Sequence, residues 1–363
     1  MIPFIDLKAQ YKIIEEDVKN RIQNVLDHGQ YIMGPEVKEL EVSLAKYVGV
    51  KHCIGNASGT DALMMALMAM DIGYGDEVIV PDFSFFATAE MVALLGATPV
   101  FVDIDRDTYN LDPCLIEKAI TSKTKAIMPV SLYGRCADFD AINTIAHKNN
   151  LFVIEDGAQS FGAEYKEKKS CGLSTIGCTS FFPSKPLGAY GDGGACFTDD
   201  DKLAEKMRQI RTHGQEGRYN HIRVGFNGRL DTLQASILIE KLRIFPNEVE
   251  LRQKVADRYS ELLKDVTKTP IEDKNYKNVF AQYTIEVEER EKFQKRMKDL
   301  GIPTAVHYPK SLSSQKALSH LESAGNCPLS DEAASKVVSL PMHPYLSEKD
   351  QDTIVAAVKK CLS

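Results

Sequence analysis

Short apolar segments alternate with helix-like segments along the chain to about residue 240. The apolar runs at 78–80, 100–102 and 126–130 have the length of buried strands. The segments after them, at 87–95, 115–120 and 139–147, have the composition and length of short helices. Because this alternation builds a mostly parallel sheet with helices on its faces, the chain is predicted to adopt an α/β fold.

The pattern changes near residue 240, where strands and helices mix over short distances. A charged helical stretch at 237–263 is followed by a strand-like run at 280–287 and a helix-like run at 288–300. A mixed segment at 334–340 and a last helix at 348–362 come after them. A chain of 363 residues is long enough for two cores. We therefore predict a large α/β domain at 1–245 and a smaller α+β domain at 246–363.

Composition excludes several classes of partner. The 44 basic and 51 acidic residues give a net charge of −7, which disfavours nucleic-acid binding. The eight cysteines include no C-x-x-C pair, and the sequence has no H-E-x-x-H motif, so neither a metal site nor a disulfide framework is expected. The amino terminus lacks the features of a signal peptide, and no apolar stretch reaches membrane-spanning length. A cytoplasmic protein with no membrane partner is predicted.

Lys185 lies in a stretch rich in proline and glycine that follows a strand-like run. Asp156 follows the apolar run 151–154, at the end of a predicted parallel strand, where α/β sheets bind ligands. Pyridoxal 5′-phosphate (PLP) needs a lysine that forms an imine and a carboxylate that pairs with its pyridine nitrogen. The sequence therefore predicts a PLP site. A solvated lysine and an aspartate in a turn or cap are the alternatives.

A phosphate site is predicted where a helix begins. Ser58, Gly59 and Thr60 precede the helical run 62–70, and the free N–H groups of a first turn attract a phosphate. Ser180, five residues before the lysine, can add a hydroxyl. Simple capping of the helix by Ser58 is the alternative.

Two further side chains can contact the cofactor ring. Phe85 follows a predicted strand and can stack on the pyridine, although packing in the core is the alternative. Gln159 can donate a hydrogen bond to the phenolic oxygen. Glu155 should point away from Asp156 if the strand continues, so only one of the two acids is expected to face the ring.

Five strings span the chain nearly from end to end. They are S-G-T-D-A-L at 58–63, E-D-x-A-Q-S-F-G at 155–162, S-F-F-P-S-K-P-L-G-x-Y-G-D-G-G at 180–194, N-x-R-L-D at 227–231 and H-Y-P at 307–309. Together they resemble the DegT/DnrJ/EryC1/StrS sugar aminotransferases, which are fold-type I PLP enzymes. One departure is Phe85, at a position where a tyrosine is expected.

The resemblance implies roles for individual residues. Lys185 would form the imine with PLP, Asp156 would pair with the pyridine nitrogen and Gln159 would contact the phenolic oxygen. The phosphate would be held by Gly59, Thr60 and Ser180, and by Asn227 from the neighbouring subunit of a homodimer. The positions that match contacts to the sugar nucleotide are Gly29, Tyr31, Ser184, Arg229, His307 and Tyr308.

Fuller strings, such as H-G-Q-Y-I-M-G-P-E-V at 28–37 and S-L-P-M-H-P-Y-L at 339–346, are similar to those of family members acting on a UDP-linked 3-keto uronate. The resemblance therefore implies amination of UDP-2-acetamido-2-deoxy-3-oxo-glucuronate, with L-glutamate as donor and 2-oxoglutarate as co-product. The product would serve bacterial surface polysaccharides such as the O-antigen of lipopolysaccharide. Arg229 suits the carboxylates of both substrates, although an ion pair with Asp231 is the alternative. The dipeptide His307–Tyr308 can also simply close a loop.

Other functions remain open at this stage. They are an aminotransferase for another 3- or 4-keto nucleotide sugar, an amino acid aminotransferase, and a non-catalytic regulatory protein on the same fold. A related sugar dehydratase would have histidine in place of Lys185, so the lysine argues against it.

Overall fold

The computed structural model describes residues 2–321 and 326–363, which form eleven α-helices and fourteen strands. The helices are α1 (Leu7–His28), α2 (Pro35–Val48), α3 (Gly59–Ala69), α4 (Ala87–Leu94), α5 (Pro113–Ala119), α6 (Phe139–Lys148), α7 (Asp201–Arg211), α8 (Thr232–Leu263), α9 (Arg290–Asp299), α10 (Pro328–Lys336) and α11 (Glu348–Leu362). The strands are β1 (His52–Asn56), β2 (Glu77–Pro81), β3 (Thr98–Val102), β4 (Thr124–Ile127), β5 (Phe152–Asp156), β6 (Glu164–Tyr165), β7 (Lys168–Lys169), β8 (Ile176–Ser180), β9 (Gly194–Thr198), β10 (Gln215–Gly217), β11 (Asn220–His221), β12 (Tyr276–Lys277), β13 (Tyr283–Glu286) and β14 (Val337–Leu340).

A seven-stranded sheet organises the first two thirds of the structure. Its strand order is β1-β9-β8-β5-β4-β2-β3, and the five strands from β8 to β3 are parallel. Strand β9 runs antiparallel to both of its neighbours. The carboxyl ends of β2, β5 and β8 therefore lie at one edge of the sheet, which is where such sheets bind ligands.

Helices cover both faces of this sheet because its side chains alternate between two hydrophobic cores. On β2, Ile79 belongs to the core beneath α2, α5, α6 and the first half of α8, whereas Val78 and Val80 belong to the core beneath α3, α4 and α7. On β5, Val153 and Ile154 divide in the same way. This alternation sends Glu155 and Asp156 to opposite faces.

A third core lies in the carboxyl-terminal part. It packs α9, α11, β13 and β14 against the second half of α8, which contributes Val255, Tyr259 and Leu263. Helix α8 thus supplies side chains to two cores, and Pro246 lies inside it. The predicted boundary between residues 245 and 246 falls at this proline and stays a prediction. Residue 1 and residues 322–325 of the two predicted ranges lie outside the described part.

The predicted α/β fold is confirmed, with small differences at the ends of elements. The run 126–130 was expected to be one strand, but β4 ends at Ile127. Pro129 has no N–H to continue the ladder, and Val130 forms only an isolated bridge with Asp156. Among the described helices, none combines the length and apolar composition needed to cross a membrane.

Candidate active site

Lys185 lies in a tight loop that leaves the carboxyl end of β8. Its N–H donates to Phe182 O at 2.9 Å, and Ala189 N donates to Phe181 O at 2.7 Å. Gly188 permits this fold, because a Cβ there would lie 2.5 Å from Pro183 O. Loss of solvation lowers the pKa of the Lys185 amine, and Asp156 partly offsets that effect. The loop thus holds a partly buried lysine within electrostatic reach of a carboxylate.

Asp156 ends β5 on the face covered by α3 and α4, and it is 5% exposed. Its Oδ2 accepts a hydrogen bond from Thr88 Oγ1 at 2.9 Å, and its Oδ1 accepts one from Ala158 N at 3.1 Å. Burial raises the pKa of Asp156, whereas the two hydrogen bonds and Lys185 lower it. Thr88 could not be found from the sequence, because no local pattern links it to a residue 68 positions later.

Glu155 points to the other face and has different partners. Its carboxylate accepts hydrogen bonds from Ser170 Oγ at 2.6 Å, Cys171 N at 2.7 Å and Ser131 Oγ at 3.2 Å. Burial raises the pKa of Glu155 to about 7. Consequently only Asp156 faces the side of the sheet on which α3 begins.

Gln159 and Tyr308 meet although they are far apart in sequence. Gln159 Nε2 donates to Tyr308 OH at 3.0 Å, and Gln159 Oε1 accepts from Tyr133 N at 2.8 Å. Tyr308 also lies near Phe85, with 5.9 Å between the ring centroids. Phe85 is 53% exposed, so its ring is not part of a core.

His307 lies beside this group. Its Nδ1 is 3.0 Å from Ser339 Oγ. Burial, together with the nearby Lys185, lowers the pKa of His307 to about 4. The imidazole is therefore neutral at pH 7 and can act as a hydrogen-bond partner rather than as a cation.

The start of α3 forms a cradle with the end of β8. Ser58 caps the helix by accepting from Asp61 N at 3.0 Å, and Gly59 and Thr60 make up the first turn. A Cβ at Gly59 would lie 2.6 Å from Ser180 Cβ, so the glycine lets Ser180 approach the helix. Ser58 thus caps the helix, and phosphate binding by Gly59, Thr60 and Ser180 stays a prediction.

The other predicted residues lie elsewhere on the chain. Asn227 and Arg229 line an open cavity of about 480 Å³ with Ser58 and Asp192, and Lys185 is not among its lining residues. Arg229 makes no salt bridge with Asp231 or with any other residue in 2–321 and 326–363, although its Nε is buried. Ser184 is partly buried next to Lys185. Gly29 ends α1 with a φ of 69°, and the nearby Tyr31 is 48% exposed.

The residues that do come together fit PLP. Lys185 lies within electrostatic reach of Asp156, so one PLP ring could contact both groups. Gln159 Nε2 is an N–H donor that lies beside Tyr308 OH. Gly59 lets Ser180 lie close to the start of α3, whose first N–H groups can bind a phosphate. The positions of Lys185, Asp156, Gln159, Gly59 and Ser180 therefore suit the parts of this cofactor.

Comparison with known proteins agrees with this geometry. The model of the DegT/DnrJ/EryC1/StrS aminotransferase family matches residues 12–359. A UDP-2-acetamido-2-deoxy-3-oxo-D-glucuronate aminotransferase from Pseudomonas aeruginosa is 60% identical over 359 residues, which are 99% of each chain.

Solved structures give the same result. A DegT DnrJ EryC1 StrS aminotransferase from Brucella abortus superimposes with a TM-score of 0.97, at 45% identity and 99% coverage of both chains. NtdA from Bacillus subtilis, solved with bound cofactor PMP, superimposes with a TM-score of 0.91 at 34% identity, covering 99% of this chain and 83% of that one. These findings confirm the resemblance drawn from the five strings, and the chain belongs to the DegT/DnrJ/EryC1/StrS aminotransferase family.

Proposed function

We propose that this chain is the PLP-dependent aminotransferase that converts UDP-2-acetamido-2-deoxy-3-oxo-glucuronate to its 3-amino derivative with L-glutamate. The observation that carries the proposal is a partly buried Lys185 within electrostatic reach of the buried Asp156 at the carboxyl end of β5. The substrate rests on the relative from Pseudomonas aeruginosa, which shares 60% of its residues with this chain.

PLP, when bound, supplies a carbonyl that forms an imine with amines and a ring that delocalises the electrons released from the substrate carbon. Lys185 would serve as the nucleophile that holds the cofactor, and its Nζ would then take up and return a proton, because the lowered pKa favours the neutral amine. Asp156 would hold the pyridine nitrogen of the cofactor and stabilise a positive charge there. The Thr88 and Ala158 hydrogen bonds keep that carboxylate in place.

The proposed sugar contacts come from several parts of the chain. His307 and Tyr308 adjoin Phe85 and Gln159, and the neutral His307 can accept or donate a hydrogen bond with the sugar. Arg229 has no carboxylate partner among the described residues, so its guanidinium remains available for the uronate or for glutamate. Gly29, Tyr31 and Ser184 complete the proposed set.

We further propose that a homodimer builds each site. The predicted contact of Asn227 with the phosphate needs a second subunit, and the cavity of Asn227 and Arg229 does not include Lys185 of the same chain. In the segment that precedes Asn227 in sequence, the apolar residues Tyr219 and Val224 are 77% and 82% exposed, and an interface could cover them. The eight free cysteines support a reducing compartment, the cytoplasm. The product would enter surface polysaccharide biosynthesis.

Two measurements test the cofactor and the lysine. Purified protein should bind PLP with a visible absorbance band, and borohydride should fix the cofactor on Lys185, located by peptide mass spectrometry. Lys185→Ala should lose both signals and nearly all turnover. A borohydride adduct on another lysine would contradict the assignment.

The substrate is tested separately. Incubation with the UDP-linked 3-keto uronate and L-glutamate should give the mass change of a ketone converted to an amine. An enzyme that aminates only neutral or 4-keto sugars, or that needs no nucleotide sugar, would overturn the substrate and leave the PLP site standing.

A further inference from the structure

Tyr133 has an unusual backbone position in the turn Leu132–Gly134. Its φ is 56°, a left-handed value that is uncommon for a bulky residue, and its side chain is 8% exposed. The turn is fixed by its neighbours, since Leu132 N donates to Asn110 Oδ1 at 2.9 Å and Arg135 N donates to Leu132 O at 3.0 Å. Strain of this kind persists only where the surroundings demand it, often next to a functional site.

The backbone of Tyr133 determines which way the Gln159 amide points. A side-chain amide has one acceptor end and one donor end, whereas a backbone N–H can only donate. Since Tyr133 N lies 2.8 Å from the amide, the oxygen Oε1 must occupy that side. The donor Nε2 is therefore directed to the other side, where it lies 3.0 Å from Tyr308 OH.

The hydroxyl of Tyr133 reaches the same residues from the opposite direction. It donates to the carbonyl oxygen of His307. Because His307 and Tyr308 are consecutive, the contacts close a ring that runs from Gln159 through Tyr133, His307 and Tyr308 back to Gln159. Burial raises the pKa of the Tyr133 hydroxyl well above its ordinary value, so it stays protonated and able to donate.

The turn also joins two parts of the molecule closely. Val279 N donates to Gly134 O at 2.9 Å. Gly134 has a φ of 97°, and a Cβ there would lie 2.6 Å from Phe280 N. This close approach holds Tyr133 between the strand that carries Asp156 and the carboxyl-terminal segment that carries His307 and Tyr308.

We infer that Tyr133 is a positioning residue, whose N–H orients the Gln159 amide and whose hydroxyl seats the His307–Tyr308 segment over the site. The inference rests on the proposed function only for its effect on catalysis. The geometric part concerns this chain alone. Loss of the hydroxyl should loosen the segment without disturbing Gln159, because the backbone N–H remains.

The test replaces Tyr133 with phenylalanine and uses Tyr109→Phe as the matched control. Tyr109 is also buried, its ring centroid is 5.6 Å from that of Tyr133, and its hydroxyl donates to Glu286 instead. Both variants lose one hydroxyl from one aromatic cluster. A general loss of packing or stability should therefore affect them alike.

Hydrogen exchange reports on the segment without substrate. The amides of Ala305 and Leu312 donate to Ser339 O and Asp82 O, so their exchange shows whether the segment stays seated. Tyr133→Phe should speed this exchange about fivefold to tenfold, the effect of one lost hydrogen bond, whereas Tyr109→Phe should not. Equal exchange in the two variants would overturn the seating role.

Kinetics of the PLP-loaded enzyme supply the second readout. Tyr133→Phe should raise the KM for the keto sugar several-fold and leave the cofactor absorbance unchanged. The double variant Tyr133→Phe/Tyr308→Phe should raise the KM by less than the product of the two single increases, because both changes act on the same ring of contacts. A KM increase in the double variant equal to the product of the single increases, or a changed cofactor absorbance, would overturn the inference. If the wild-type enzyme aminates no nucleotide sugar, the proposed function fails while the exchange result still decides the seating role.

Discussion

Asp156 shows how hydrogen bonds oppose the effect of burial on the pKa of one acid. Burial alone raises its pKa, and a protonated carboxyl cannot stabilise a cation at a pyridine nitrogen. Two hydrogen bonds to its oxygens, from Thr88 and Ala158, oppose that shift. Ser84 Oγ lies 3.0 Å from Thr88 Oγ1 and extends the chain of hydroxyls away from the site.

Thr88→Val should therefore weaken catalysis through Asp156. The lost hydrogen bond raises the pKa of the acid further, so the acidic limb of the pH profile of kcat should shift to higher pH. The value of kcat near pH 7 should fall about fivefold, the worth of one such hydrogen bond. Thr88→Ser keeps the hydroxyl and should restore both. A profile that Thr88→Ser fails to restore would mean that packing, not the hydrogen bond, matters.

At the scale of elements, the start of α3 and the strand β5 do most to build the site. The helix offers free N–H groups beside Ser180, and the strand places its two acids on opposite faces. Both effects depend on close approaches between elements that are distant in sequence.

Gly59→Ala tests the cradle. Alanine is the better helix former by about 1 kcal/mol, but its Cβ would meet Ser180 Cβ at 2.6 Å. The variant should bind PLP about tenfold more weakly, as expected when an overpacked contact must move apart. The control is Gly73→Ala, where a Cβ finds only Leu95 O at 3.7 Å. Titration of the absorbance band with PLP measures both, and equal affinities would exclude the cradle.

Glu155 should make the stability of the fold pH-dependent. Its pKa is about 7 in the folded chain and 4.5 in the unfolded chain, so the folded state binds the proton more tightly. Protonated Glu155 therefore adds about 1 to 3 kcal/mol to the free energy of unfolding. This contribution is fully present below pH 4.5 and is lost as the pH rises through 7. Glu155→Gln should flatten this decline in urea unfolding measured from pH 5 to pH 8. The wild type and the variant should otherwise unfold alike.

At the scale of the whole molecule, the sheet and the carboxyl-terminal core are joined through α8 and through the turn at Tyr133. Lys185 is not among the residues that line the cavity of Asn227 and Arg229 in one chain. In the proposed homodimer, a second copy would supply these groups to the site at Lys185.

Hybrid dimers test this arrangement. Lys185→Ala and Arg229→Ala chains with different tags should each be inactive as homodimers. A purified hybrid keeps one site with both native residues, so it should recover about half of the wild-type activity per dimer. If Arg229 served the lysine of its own chain, the hybrid would stay inactive. Light scattering should give the mass of a dimer.

Much of the fold could be predicted because its signals are local. Strand-length apolar runs and helical segments occur in the order that builds a parallel sheet, and the last helix was placed at 348–362 as observed. Ser58 at the start of α3 and Asp156 at the end of β5 were also found from adjacent residues. The break at Pro129 was missed because the apolar composition of 126–130 outweighed the missing N–H.

The sequence by itself determined the α/β architecture and the family, since each depends on periodicity or on short strings of adjacent residues. The joint role of Lys185 and Asp156 stays a prediction. Only the tertiary structure decided that Thr88 supports Asp156 and that Tyr133 joins Gln159 to His307 and Tyr308. The hydrogen bond between Gln159 and Tyr308 spans 149 residues. No local pattern encodes such a contact, because it exists only once the sheet and the carboxyl-terminal core have packed together.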